Sequence, residues 1–179
     1  MTASMTRRPE CLVIMPVSDI ETYPAGHFDR VFEHLIVPAC QDAGFEPILG
    51  SRIQTTNFIV LDIIKRILNA EMTVCDLSGR NGNVLCELGL RQAFNGPVTL
   101  IKDRRTQRIF DIQGIQDVEY DESLRVDSVK VAMTELTETI PASGAVGFAC
   151  WQVNPRMQPT NTDLPRGSDD AAPSRENRF

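Results

Sequence analysis

Residues 72–91 read Met72-Thr73-Val74-Cys75-Asp76-Leu77-Ser78-Gly79-Arg80-Asn81-Gly82-Asn83-Val84-Leu85-Cys86-Glu87-Leu88-Gly89-Leu90-Arg91. Met72–Leu77 is a short, mostly apolar run, the pattern of a strand buried on both faces. It stops in Ser78–Asn83, where Ser, Gly and Asn supply turn chemistry. Helical spacing follows through Phe94 and ends at Asn95-Gly96. An Asn at 81 or 83 is a natural N-cap, because its side-chain oxygen accepts a backbone N–H that the first helical turn leaves unpaired. A strand running through a tight turn into a helix is half of a βαβ unit.

The same alternation continues in both directions. Cys11–Met15 (CLVIM) reads as a buried strand, and Pro16–Gly26 as a loop. His27–Ala43 carries Phe28, Val31, Phe32, Leu35, Ile36 and Ala39 at helical spacing and is closed by Gly44. Pro38 is expected to kink that helix or mark its last turn. Phe45–Leu49 is a second strand, Asn57–Asn69 a strongly apolar helix, Pro97–Ile101 a fourth strand, Asp117–Tyr120 a weaker fifth and Ser123–Ile140 a last amphipathic helix. Five strands alternating with helices imply a three-layer α/β/α domain with a parallel sheet. Right-handed crossovers favour the flavodoxin-like (Rossmann-like) order 2-1-3-4-5. The domain is expected to span residues 11–140, with a disordered N-terminus over 1–10. The tail 141–179 holds Pro141, Pro155, Pro159, Pro165 and Pro173, is polar from Pro155 onward and is expected to be mostly disordered.

The chain has 179 residues and a formal charge of −6, and its hydrophobic content is 42%. The four arginines of the tail balance its three Asp and one Glu, so the negative charge belongs to residues 1–140. An acidic domain is not expected to coat duplex nucleic acid or an anionic membrane, since both reward a basic face. The apolar runs are shorter than the roughly 20 residues that span a bilayer, and Cys11–Met15 ends at Pro16 without a cleavage-site pattern. Five cysteines (Cys11, Cys40, Cys75, Cys86, Cys150) without CxxC spacing read as reduced thiols of a cytoplasmic protein. His27 and His34, seven apart on one predicted helix, lack a third ligand, so no metal is expected. No cofactor is called for either.

In a sheet of this order, ligands sit beyond the carboxyl ends of the strands, where the strand order reverses between strands 1 and 3. The loops after those strands are therefore the expected site. Asp76 ends the third strand and is expected to point into that crevice. Glu87 lies about one turn inside the following helix, a carboxylate between Cys86 and Leu88 in an otherwise apolar half-helix. Such a group is either paired or functional. Pro16, Val17 and Ser18 on the first loop, and Arg80, Asn81 and Asn83 on the second, are candidate ligand contacts. The run Lys102-Asp103-Arg104-Arg105, with Arg108, lies after the fourth strand near the same edge.

Taken together, CLVIMPVSD at 11–19, Asp76, GRNGNVLCELGLRQA at 79–93 and IFDIQGIQDVEYD at 109–121 resemble the nucleoside 2-deoxyribosyltransferase-like proteins, which overlap with the bacterial TIR-like predicted nucleotide-binding proteins. The resemblance covers roughly residues 11–140. It implies Glu87 at the position of the nucleophilic glutamate and Asp76 at the position of the acid ending the third strand. It implies a site role for Asp111, from the Phe-Asp pair before the fifth strand. Asn81 stands where the transferases carry an Asp, and Cys86 where the TIR-like relatives carry a Tyr. The implied ligand is a nucleoside or nucleotide, and the implied assembly is a homo-oligomer.

The chemistry this implies is cleavage or transfer of an N-glycosidic bond, as in a 2-deoxyribosyltransferase, a nucleoside hydrolase or an NAD glycohydrolase. Breaking that bond builds oxocarbenium charge on the anomeric carbon, and the base must leave protonated. Two carboxyl groups suffice, one at the sugar and one managing a proton. The alternative is a non-catalytic nucleotide sensor or TIR-like signalling module, to which the departure at Asn81 points.

Overall fold

The structure is a computed structural model and describes residues 7–50, 59–109 and 117–141. Five strands, β1 (Glu10–Ile14), β2 (Glu46–Leu49), β3 (Met72–Asp76), β4 (Thr99–Asp103) and β5 (Asp117–Tyr120), form one sheet. Its order is β2-β1-β3-β4-β5, and every pairing is parallel. This is the flavodoxin-like α/β fold. The reversal falls between β1 and β3, whose register places Ile14 beside Cys75.

Side chains of a strand alternate between its two faces. Cys11 and Val13 of β1, Met72 and Val74 of β3, Ile101 of β4 and Val118 and Tyr120 of β5 share one apolar cluster. That cluster is covered by α1 (His27–Val31), α2 (Val37–Asp42) and α5 (Val126–Thr139). Leu12, Ile14, Cys75 and Leu100 point the other way, toward α3 (Ile59–Asn69) and α4 (Gly82–Ala93). Two helix layers thus bury both faces of a sheet whose central strands are almost continuously apolar.

The first helical stretch departs from a simple α-helix. Between α1 and α2 lies a π-helical turn, Phe32–Ile36, in which the Val37 N–H reaches the Phe32 carbonyl. The α-helix resumes at Val37 with Pro38 in its first turn, so the helix runs on through the proline instead of ending at it. The wide turn makes room for a ring that would otherwise meet the carbonyl one turn back. It also changes the helical phase. His27 is buried and His34 exposed, so the two histidines do not share a face. Gly44, at φ 88°, ends the stretch by taking a left-handed conformation.

Helix α4 begins where the turn residues placed it. Asn81 is the N-cap, and its side-chain oxygen accepts the N–H groups of Asn83 (2.9 Å) and Val84 (3.4 Å). Among the described residues no helix is long and apolar enough to cross a membrane. Cys11, Cys40 and Cys75 are buried free thiols, whereas Cys86 is exposed.

Candidate functional site

Beyond the carboxyl ends of β3, β4 and β5 lies a closed hydrogen-bond network. Asp76 is fully buried, with 0% exposure. One of its oxygens accepts the Ser78 N–H at 2.9 Å, an Asx-type closure of the turn. The other accepts the Tyr120 hydroxyl at 3.1 Å. The Tyr120 oxygen also pairs with Ser78 Oγ at 2.9 Å, and Ser78 Oγ accepts the Asp103 N–H at 2.8 Å. Asp103 in turn accepts the Thr106 N–H (2.7 Å) and the Tyr23 hydroxyl (2.6 Å). Tyr23 belongs to the loop after β1, so that loop is drawn across the end of β4. Gly79 donates its N–H to Thr106 Oγ1 at 3.0 Å and holds φ at 70°. A Cβ at that position would fall 2.6 Å from the Ile20 Cδ1, so a larger residue would have to displace that side chain while holding a left-handed backbone, which glycine does without strain.

Burial disfavours charge on these groups. Desolvation is the main cause that pushes Asp76 up from 3.8 to about 6, against the lowering effect of its bonds to Ser78 and Tyr120. Desolvation and the bond to Asp103 push Tyr23 to about 12. His27 is shifted down, chiefly by burial. It packs against Tyr23 with ring centroids 4.8 Å apart and stacks toward Tyr120 at 6.4 Å.

The Asp76 shift sets a pH dependence of known sign. A carboxyl whose folded pKa lies above its unfolded value stabilises the fold fully below the unfolded value. That contribution is lost as pH rises through the folded value. Rising from about pH 4 to above 6 should therefore cost on the order of 3 kcal/mol at this one group. Asp76→Asn is uncharged at every pH. Its stability relative to the parent should improve by about that amount between pH 4 and pH 7.5. Paired denaturant titrations at the two pH values check this, and a pH-independent difference between the chains would show that Asp76 is not held in a charge-averse setting.

The expected site residues do not all converge. Asp76 ends β3 as expected but does not open on the crevice. It follows Val74 by two residues and is the register partner of Ile101, which places it on the face covered by α1, α2 and α5. Glu87 rides on α4, over the opposite face, and its charge is felt by Cys75. The two carboxyl groups are therefore separated by the sheet. Alternation along β3, with Cys75 toward α4 and Asp76 away from it, is the reason. Glu87 is half-buried, and desolvation raises its pKa. Among the described residues no hydrogen bond or ion pair engages its carboxylate. Asn81 spends its side-chain oxygen on the cap, and Asn83 is exposed on the first turn of α4. Pro16 is buried, while Val17 and Ser18 are exposed. Asp111 lies outside the described residues.

A shallow groove of about 310 Å³ opens at this edge, lined by Thr22, Tyr23, Gly79, Arg80, Arg105, Thr106 and Gln107. Arg80 donates through Nε and Nη2 to the Gln107 carbonyl (3.3 and 3.1 Å) and through Nη2 to that of Arg108 (3.4 Å). Arg105 donates to the Thr22 carbonyl at 3.1 Å and stands 5.1 Å over the Tyr23 ring.

No family model and no curated protein matches the chain. Among solved structures it is similar to the constitutive lysine decarboxylase of E. coli, at 16% identity and a TM-score of 0.42. That match covers 72% of this chain and 17% of the decarboxylase chain. At such a score the likeness carries no argument about chemistry, and the strand order alone establishes the fold.

Several residues of this edge escape a reading confined to the switch point. Tyr23, Ser78, Asp103, Thr106 and Tyr120 come from four different segments, and only the sheet order brings them together. One signal was present: Asp76 and Asp103 both end apolar strands, and polar groups that end buried strands must find partners. Among the described residues no cluster of His, Cys, Asp and Glu is placed to hold a metal ion.

Proposed function

We propose that the chain binds a nucleoside or nucleotide at the carboxyl edge of its sheet and acts on the N-glycosidic bond, with Glu87 as the nucleophile. The observation that carries this reading is the state of Glu87. It is a half-buried carboxylate without a hydrogen-bond or ion-pair partner among the described residues, on the helix that leaves the third strand. A desolvated, unpaired carboxylate costs stability unless a ligand uses it. In the proposed step a Glu87 oxygen forms a bond to the anomeric carbon as the C–N bond breaks. The electron pair leaves with the base, which takes up a proton from water. Water or a second base then displaces the glutamyl ester. Asp76 has no direct part in this scheme; it positions the turn Ser78–Arg80 through its bond to the Ser78 N–H.

A second reading, nucleotide binding without turnover, is favoured by the burial of Asp76 on the face of the sheet opposite Glu87, which keeps these two carboxyl groups from acting as a pair. Incubating the full chain with a panel of ribo- and deoxynucleosides, their monophosphates and NAD separates the two. Appearance of free base or nicotinamide supports the enzyme. Saturable binding in calorimetry with no product over prolonged incubation supports the sensor and overturns the catalytic assignment.

A further inference from the structure

The arginines after β3 and β4 fall into two groups. Arg104 lies 3.7 Å from an Asp121 oxygen and Arg108 lies 2.8 Å from one of Asp117, so both are matched by carboxylates. Arg80 and Arg105 line the groove, and among the described residues neither has a carboxylate partner. Both are nevertheless held in place. Arg80 is fixed by the carbonyls of Gln107 and Arg108, and Arg105 by the Thr22 carbonyl and the face of Tyr23. Neutral carbonyls orient a guanidinium without cancelling its charge. Each therefore keeps N–H donors to spend, Nη1 on Arg80 and Nε and Nη2 on Arg105. The fork geometry of guanidinium suits the oxygens of a phosphate. This unmatched positive charge stands on a chain whose net charge is −6. Surplus arginine charge on an acidic chain points to an anionic ligand and not to a general basic surface.

We infer that the groove between Arg80 and Arg105 is a phosphate-ester subsite, built to hold the phosphate of a small phosphorylated ligand over Tyr23 and Thr106. The inference stands on the groove and does not need Glu87. If the proposed function holds as well, it selects nucleotides over nucleosides as the ligand.

Calorimetry on the full chain with ribose 5-phosphate, ribose and inorganic phosphate tests this. Ribose 5-phosphate should bind at least about tenfold more tightly than ribose, and more weakly as salt rises from about 50 to about 300 mM. Arg105→Gln should lose at least about tenfold in affinity for the phosphorylated sugar. Arg104→Gln, one residue away but outside the groove, should bind as the parent does. Arg105→Lys keeps the charge without the fork and should fall between, which also covers the case in which Arg105→Gln does not fold. Equal binding of ribose and ribose 5-phosphate, binding of neither, or equal losses at positions 104 and 105 would overturn the inference. Base release and phosphate affinity are separate readouts, so failure of one leaves the other standing.

Discussion

Glu87→Gln is expected to lower base release from the best substrate on the order of a thousandfold or more, while the fold and the ligand affinity stay close to those of the parent chain. The amide matches the carboxylate in shape, so packing beside Val84 and Leu88 is kept. It lacks the charge that would attack or stabilise the anomeric carbon. Stability should not fall, because Glu87 forms no hydrogen bond or ion pair among the described residues, and removing a desolvated charge relieves a cost. The pH profile gives a second handle. The proposed step needs the ionised carboxylate, and burial raises its pKa. Activity should therefore fall on acidification at a higher pH than an ordinary glutamate would give. Asp76→Asn tells a chemical role from a positioning one. If Asp76 only holds the turn, that variant changes KM more than kcat. A Glu87→Gln chain that releases base at the parent rate ends the proposed mechanism outright.

Much of the fold was legible because both periods in the sequence are strong. Cys11–Met15 and Met72–Leu77 have the continuous apolar character of buried parallel strands, and Asn81 sits where a cap is needed; the structure has β1, β3 and the α4 N-cap at those places. Element ends moved by a residue or two, as at β4, which runs to Asp103. The site was legible only in part. A strand period of two already separates Asp76 from Cys75, and so from the α4 side where Glu87 lies. Spacing along the chain suggested one acidic pair, whereas the pleat divides it between two faces. The Tyr23–Asp103 bond joins residues eighty apart in sequence, and no local pattern announces such a contact. The π-helical turn before Pro38 was hidden for a related reason. A proline says that the regular ladder must yield, but not whether the helix stops, kinks or widens.

Arg91→Met is expected to cost about 3–5 kcal/mol of stability and to lower the melting temperature by roughly 10 °C. Helix α4 turns Val84, Leu88 and Arg91 toward the interior, and Arg91 is only 2% exposed. Its guanidinium donates to the carbonyls of Ile67 (2.6 Å), Ala70 (2.8 Å) and Pro97 (3.2 Å from Nη2, 3.3 Å from Nε). Ile67 lies in the last turn of α3 and Ala70 just beyond it, where helical carbonyls have no partner within the helix. Arg91 thus caps α3 from the side and carries positive charge to the negative end of its dipole. It also ties that end to the segment entering β4. Gly96 leaves the space for this, since a Cβ there would fall 2.3 Å from Arg91 Nε. Methionine fills a similar volume but donates nothing, and each buried carbonyl left unpaired costs about 1–3 kcal/mol. Arg91→Lys, a single flexible donor, should recover part of the loss but not all of it. Denaturant unfolding of the three chains orders them. An Arg91→Met chain within about 0.5 kcal/mol of the parent, the range of ordinary surface substitutions, would mean that water already serves these carbonyls and that Arg91 is not what joins α3, α4 and β4.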